Sequence, residues 1–123
     1  MATHNELGVK GEITALDFLQ LKGYTVLEIN WRFGHAEVDI IAKHNNTIIF
    51  VEVKTRSTEH FGYPESSVDA AKQKNLALAA DEYLERNSIE MDVRFDIVSI
   101  VMKQDKPDIH HIEDAFFPYD LGE

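Results

Sequence analysis

Between Asn5 and Lys22 the apolar positions recur at helical spacing. Leu7, Gly11, Ala15 and Phe18 share one side, Leu19 flanks it, and Gly23 supplies a C-terminal stop. Tyr24 to Arg32 reads as a strand whose core candidates are Tyr24, Val26 and Leu27. Ala36 to Lys43 and Thr47 to Arg56 are two further strands joined across Asn45-Asn46, because Asn accepts the positive φ that a two-residue hairpin turn demands. Phe61-Gly62-Tyr63-Pro64 interrupts the pattern as a loop. Ser66 or Ser67 then caps a helix running to about Arg86, with Val68, Ala71, Leu76, Ala79 and Tyr83 along its apolar face. Asp92 to Met102, rich in Val and Ile, reads as a strand, Gln104 to Asp108 as a turn, and Ile109 to Ile112 as a short last strand. The tail from Ala115 to Glu123 is aromatic without a clear period and is read as core cover. The order α-β-β-β-α-β-β predicts a single α/β domain over residues 1–123, a mixed sheet flanked by helices.

The hairpin places chemistry. A two-residue turn at Asn45-Asn46 sets Asp39 opposite Glu52 and Glu37 opposite Lys54, and alternation puts all four on one face. The other face pairs Val38 with Val53 and Ile40 with Val51. Like charges facing each other across strands are destabilising, so Asp39 against Glu52 calls for a shared proton or a cation. Oxygen-only ligation suits Mg²⁺ or Mn²⁺, with Lys54 to orient a water or to meet phosphate charge. A solvated cross-strand network, with Glu37 paired to Lys54, is the plain alternative.

Bulk numbers narrow the choice. The 123 residues, 44% hydrophobic, fit one core. There is no cysteine, hence no disulfide or thiolate metal site. No apolar run reaches the ~20 residues of a membrane-spanning helix. The polar start reads as neither signal nor transit peptide, so a cytoplasmic protein is expected. The formal net charge of −10 speaks against a simple nucleic-acid binder. It is unevenly spread, however. Residues 1–80 carry 8 Lys+Arg against 10 Asp+Glu, and residues 81–123 carry 4 against 12.

Asp39 followed by Glu52-Val53-Lys54 on the next strand matches the site pattern of the PD-(D/E)XK nuclease superfamily. The longer string is more specific. It runs through Gly11-Glu12, Gly23-Tyr24, Asn30-Trp31-Arg32, Glu37-Val38-Asp39-Ile40-Ile41 and Phe50-Val51-Glu52-Val53-Lys54-Thr55-Arg56. Phe61-Gly62, Lys72-Gln73-Lys74, Ala79-Ala80, Arg94-Phe95-Asp96-Ile97-Val98 and Ala115-Phe116 complete it, so that it spans nearly the whole chain. It resembles the YraN family of small bacterial proteins. The resemblance implies a restriction-endonuclease-like core, αβββαβ, similar to that of archaeal-type Holliday junction resolvases. It implies Asp39 and Glu52 as metal ligands with the Val53 carbonyl, Lys54 to position the attacking water, and Glu12 as a further site carboxylate. Val38 stands where the motif's name has Pro, and Ala36, preceded by His35, stands where Gly is expected.

Other residues divide between plain and sharper roles. Lys72 falls inside the apolar stripe of its helix. Snorkelling from the edge is the simpler reading, and a second cation reaching the phosphate site is the sharper one. Arg32, Arg56, Lys72 and Lys74 are candidates for phosphate contacts, with Thr55 and Ser57 as hydroxyl donors. Trp31 reads as packing before base stacking, and adjacent His110 and His111 face opposite ways and cannot share a metal. Three functions follow. The first is a Mg²⁺/Mn²⁺-dependent endonuclease on DNA, in preference to RNA, with branched or structured DNA among its candidate substrates, for which junction cleavage by analogy requires a homodimer. The second is a catalytically silent nucleic-acid-binding protein on the same fold, and the third a protein-interaction module using the acidic last third.

Overall fold

The computed structural model describes residues 4–57, 68–103 and 106–118. Seven elements follow in order: α1 (His4–Leu21), β1 (Thr25–Phe33), β2 (Ala36–His44), β3 (Thr47–Arg56), α2 (Ala70–Arg86), β4 (Asp92–Met102) and β5 (Pro107–Phe116). The strands form one five-stranded sheet in sequential order, antiparallel everywhere except between β3 and β4, which run parallel. α2 makes the crossover between the parallel pair. The chain is therefore an α/β protein with a mixed sheet and two helices, in the order read from the sequence. Among the described residues, no helix is long and apolar enough to cross a membrane.

Each face of the sheet carries a core layer. Under α1, Ala15 and Leu19 pack with Tyr24, Ile40, Ala42, Ile49, Val51, Val98 and Ile100. Under α2, Leu76, Ala79, Ala80 and Tyr83 pack with Val38, Ile41, Ile48, Phe50, Phe95 and Ile97. β3 and β4 are apolar on both faces because both faces are covered, the expectation for buried strands. Trp31 lies edge-on to Tyr83 at 5.4 Å, with the Arg86 guanidinium 5.6 Å from its ring, which is a packing role.

Several expectations are corrected. Residues Ser66 and Ser67, with the Phe61–Pro64 loop, lie outside the described residues. The cap of α2 is Asp69, whose carboxylate accepts from the Lys72 N–H at 2.9 Å. The last strand runs from Pro107 to Phe116, far beyond Ile109–Ile112. Its first residues continue the antiparallel ladder at Met102↔Pro107, and backbone pairing carries a segment that its polar side chains disguise. Phe116 ends the strand and its ring lies tilted against Phe95 at 5.4 Å, so the start of the aromatic tail is strand, while Tyr119 and Leu121 lie outside the described residues. Leu27 is exposed on the edge strand and contributes nothing to the core.

A polar cluster lies in the α1 layer. Asp96, 0% exposed, accepts from Arg94 Nε and Nη2, each at 2.8 Å, from His111 Nε2 at 2.7 Å and from the Asp114 N–H at 3.0 Å. Arg94 also donates to the Tyr24 hydroxyl, and Lys22 donates to His111 Nδ1 at 2.7 Å. His111 is thus buried in this network, and His110 points outward toward Asp108. Burial works against charge on Asp96, but the bonds from His111, Arg94 and the Asp114 N–H outweigh it and hold its carboxyl below the usual range. Its contribution is present above the ordinary Asp range and is lost as pH falls through the lowered value. Asp96→Asn is expected to lose about 3–5 kcal/mol in urea unfolding at pH 7, because Arg94 loses its buried carboxylate partner and keeps only the exposed Glu113 at 3.5 Å as a charged partner. The gap to wild type should shrink on acidification, and a gap independent of pH would contradict the assignment.

Gly11 lies where α1 crosses β3. A Cβ there would sit 1.9 Å from Thr55 Oγ1 and 2.8 Å from Thr55 Cβ. Helix propensity alone would make Gly11→Ala stabilising by about 1 kcal/mol. The clash decides the sign, and a net loss of about 1–3 kcal/mol in urea unfolding is expected.

Candidate active site

The turn at Asn45-Asn46 forms as the sequence suggests, with Asn45 at φ 56°, and the β2–β3 ladder takes the expected register from His44↔Thr47 to Ile40↔Val51. There it stops. β2 continues to Ala36 paired with β1 alone, while β3 continues to Arg56 paired with β4. The two middle strands part just before Asp39 and Glu52, and this corrects the strict cross-strand facing read from the sequence. Asp39 uses the gap, its Oδ2 accepting from the Val53 N–H at 2.7 Å. A side chain takes the place of a missing backbone acceptor.

The alternation of β2 also breaks here. Val38 and Ile41 belong to the α2 layer, and Ile40 and Ala42 to the α1 layer, so Val38 does not meet Val53, which packs on the α1 side. Asn30 explains the twist. It lies between Ile29, paired with Ile40, and Trp31, paired with Val38, and it takes φ 52°, a left-handed conformation that Asn tolerates. The kink turns Asp39 toward the end of the sheet, where it borders two clefts. One, about 210 Å³, lies on the α2 side with Glu52, Lys72, His35, Glu37 and Asn75. The other, about 270 Å³, lies on the α1 side with Glu12, Val53, Lys54, Thr55 and Gly8. Both fall below the ~300–1,000 Å³ of ordinary small-molecule pockets, and both are polar at their shared border.

Glu52 is 6% exposed and carries two ammonium contacts on one oxygen. Lys72 Nζ donates to Oε2 at 2.5 Å, and Lys54 Nζ lies 3.2 Å from the same atom. Lys72 therefore reaches inward from the first turn of α2 and is not merely a snorkelling edge residue. Burial, followed by the neighbouring Lys72, lowers the proton affinity of Lys54 against the pull of Glu52. Burial opposes charge on Lys72 too, but Glu52, Lys54 and Asp39 together raise its pKa. Asp39 is pushed up to about 7, by burial first and then by Glu52, with Glu12 and Glu37 adding and the Val53 N–H opposing. Glu12 is raised by burial and by Glu37, and its hydrogen bond with the Asn30 side chain works the other way.

The remaining predicted residues are more dispersed. Glu37 pairs with Arg32 across β1–β2 at 2.7 Å and not with Lys54, because its strand has left β3. Arg32 shares a shallow hollow with Gly34 and His35 beside the α2-side cleft. Arg56 is half-buried at the end of β3, and Lys74 is exposed on α2. Sequence reasoning did not assign His35 and Asn75, which line the α2-side cleft, or Asn30, whose side chain hydrogen-bonds Glu12. Asn75 was accessible from its i+3 spacing to Lys72, and Asn30 from an Asn placed inside a strand pattern.

The donor set fits a hard divalent cation of the Mg²⁺ type. Among the described residues, no three or more His, Cys, Asp or Glu side chains converge as a metal cage. A Mg²⁺ site on one or two carboxylates, completed by water and phosphate, needs no such cage. Asp39 and Glu52 with the Val53 carbonyl supply that number of hard oxygens. Asp39 is raised to about 7 by burial first and by Glu52 second, and a bound cation would offset both.

These features define an α/β protein with a carboxylate–lysine cluster at the split end of a mixed sheet. The chain belongs to the family described as Uncharacterised protein family UPF0102, whose model matches residues 11–100. It is 50% identical over 117 residues to a UPF0102 protein of Christiangramia forsetii, covering 95% of this chain and 98% of the relative. It is 45% identical over 119 residues to one of Flavobacterium psychrophilum, covering 97% and 100%. A UPF0102 protein of Thermodesulfovibrio yellowstonii is 46% identical over 112 residues, covering 91% and 96%.

Asp39 gives the site a pH signature. An acid whose folded pKa is raised lets the folded state bind more protons than the unfolded one between about 4 and 7, so stability falls as pH rises through that window. In chelator, Asp39→Asn should raise the melting temperature at pH 8 and lose that advantage near pH 5. The amide oxygen can still accept from the Val53 N–H. A variant equal to wild type at pH 8 would show that the charge carries no cost.

Proposed function

We propose that this chain is a Mg²⁺- or Mn²⁺-dependent endonuclease that hydrolyses DNA phosphodiesters, with branched or structured DNA as the favoured substrate. It would be built on a restriction-endonuclease-like core. The observation that carries the reading is the convergence of Asp39, Glu52, Lys54 and Lys72 where β2 and β3 separate, with open clefts on both sides. A cation held by Asp39, Glu52 and the Val53 carbonyl would supply Lewis-acid charge at the scissile phosphate.

The chain's own groups account for the rest. The Val53 N–H fixes the orientation of Asp39, and the two lysines hold Glu52, so the ligands are positioned before substrate arrives. Lys54, with its lowered proton affinity, orients the attacking water from the α1-side cleft and meets charge that develops on the phosphate. Glu12 borders the same cleft and can accept a proton from that water, its own pKa being raised. Arg32, Arg56 and Lys74 extend outward as contacts to flanking phosphates.

Labelled linear, nicked, flapped and four-way-junction DNA, each with Mn²⁺ or Mg²⁺, tests this directly. Wild type should cut, with one structure preferred. Asp39→Ala and Glu52→Ala, shown by circular dichroism to be folded, should lose at least 100-fold in rate, on the order of a removed transition-state contact. Cleavage retained in Glu52→Ala would end the assignment. Metal-independent, salt-sensitive DNA binding without turnover would turn it to a silent binding protein.

A further inference from the structure

Lys72 occupies the oxygen that a cation on Glu52 would use. Its Nζ donates to Glu52 Oε2 at 2.5 Å, closer than the 3.2 Å of Lys54 to the same atom. The two lysines are held differently. Lys54 stands on β3, two residues from Glu52, inside the ladder with β4 at Lys54↔Ser99. Lys72 reaches across from another element. Its backbone is fixed, since Asp69 caps its N–H at 2.9 Å and the adjacent Gln73 side chain donates to the Val68 carbonyl at 3.0 Å. Its side chain is 38% exposed and borders the α2-side cleft. The ammonium can therefore leave Glu52 by rotations of a four-carbon stem, without movement of the helix.

We infer that Lys72 is an internal placeholder for the divalent cation: it holds Glu52 while the cation is absent, yields Oε2 when the cation binds, and then takes a phosphate oxygen of the substrate in the α2-side cleft. The inference rests on the proposed role of Asp39 and Glu52 as cation ligands. A divalent ion on Oε2 would compete with the ammonium for the same lone pairs and repel it, which weakens the hold of Lys72 on Glu52. A lysine ammonium only donates, so once displaced it needs an acceptor. Glu37 and Asp39 also border the cleft, but Glu37 is taken by Arg32 and Asp39 by the Val53 N–H and the cation. Water can accept from it until substrate enters, and an incoming phosphate then offers the charged acceptor in the cleft. Cation and substrate thereby help each other to bind, and by linkage each tightens the other by the same factor.

The test is calorimetric titration of Mn²⁺ into the full chain without nucleic acid, for wild type, Lys72→Met, Lys72→Arg, Lys54→Met and Glu52→Gln, all checked for folding by circular dichroism. Lys72→Met should bind Mn²⁺ about 10- to 100-fold more tightly than wild type, the scale of one charge-assisted hydrogen bond removed from competition. Lys72→Arg should stay near wild type, Lys54→Met should change less than Lys72→Met, and Glu52→Gln should lose binding. Binding detected only after removal of Lys72 also supports the placeholder. Equal or weaker affinity in Lys72→Met overturns it. Where Mn²⁺ still binds wild type through Glu52, that result leaves the nuclease reading standing; where no variant binds Mn²⁺, both fall. With a phosphorothioate oligonucleotide that resists cleavage, Mn²⁺ should tighten binding to wild type more than to Lys72→Met, in which only the cation itself meets the phosphate. Full tightening in the variant would refute the phosphate role.

Discussion

β3 is held on one edge by an unbroken parallel ladder to β4 and on the other by β2 only as far as Ile40↔Val51. Past that point the Val53 N–H would be an orphan donor in a half-buried place, and such groups are rarely left unmet. Asp39 meets it with a carboxylate oxygen at 2.7 Å. The requirement for that one acceptor links the site together. It fixes an acidic side chain at the split, brings it beside Glu52 and opens clefts toward both helices. Asn30 on the neighbouring strand takes the left-handed conformation that accommodates the kink, and its side chain reaches Glu12 on α1. Sheet geometry and site geometry are one arrangement.

Two aspartates show how differently a fold can treat the same group. Asp96 is fully buried and receives four hydrogen bonds, two of them from a guanidinium, so its charge is favoured despite burial. Asp39 receives one backbone donor and faces Glu52, Glu12 and Glu37, so its charge is disfavoured near neutrality. A compensated carboxylate holds structure together. An uncompensated one lowers the stability of the free protein and is retained where something else binds, which is the pattern of perturbed groups at functional sites. The lysines respond to the same excess, gathering on Glu52 from β3 and α2.

The sequence disclosed what periodicity and turn chemistry govern. β2, β3 and β4 read to within a residue because their apolar runs are covered on both faces, and Asn45-Asn46 set the register of the hairpin. What it concealed was tertiary in origin. β5 is an edge strand whose Asp108, His110, Glu113 and Asp114 give no apolar alternation, so only its ladder to β4 identifies it. Strict alternation carried through Asp39 put Val38 on the wrong face, since a local kink reverses parity and leaves no mark except Asn30. Asp39, Glu52 and Lys54 were legible as a motif. The inward reach of Lys72 was not, because a lysine within an apolar stripe is as compatible with snorkelling as with a buried ion pair.

The net charge of −10 weighs less against a phosphate substrate than its size suggests. Asp81, Glu82 and Glu85 lie on the second half of α2, Glu90 and Asp92 at its exit into β4, and Glu113 and Asp114 beside the first half of β4. Lys54, Arg56, Lys72 and Lys74 lie at the opposite end of β3 and on the first turns of α2. Ten residues of helix separate Lys72 from Glu82, about 15 Å at 1.5 Å per residue. That exceeds the Debye length of about 8–10 Å at ordinary ionic strength, so the distant acid is largely screened at the clefts. The field that a phosphate meets there is set by the nearby groups, above all by how many carboxylates at the split retain their charge. A divalent cation would change that number directly, favouring ionised Asp39 while adding two positive charges. A loaded cluster would therefore attract an anion more strongly than an empty one, and that gain in charge is the electrostatic side of reciprocal coupling between cation and phosphate.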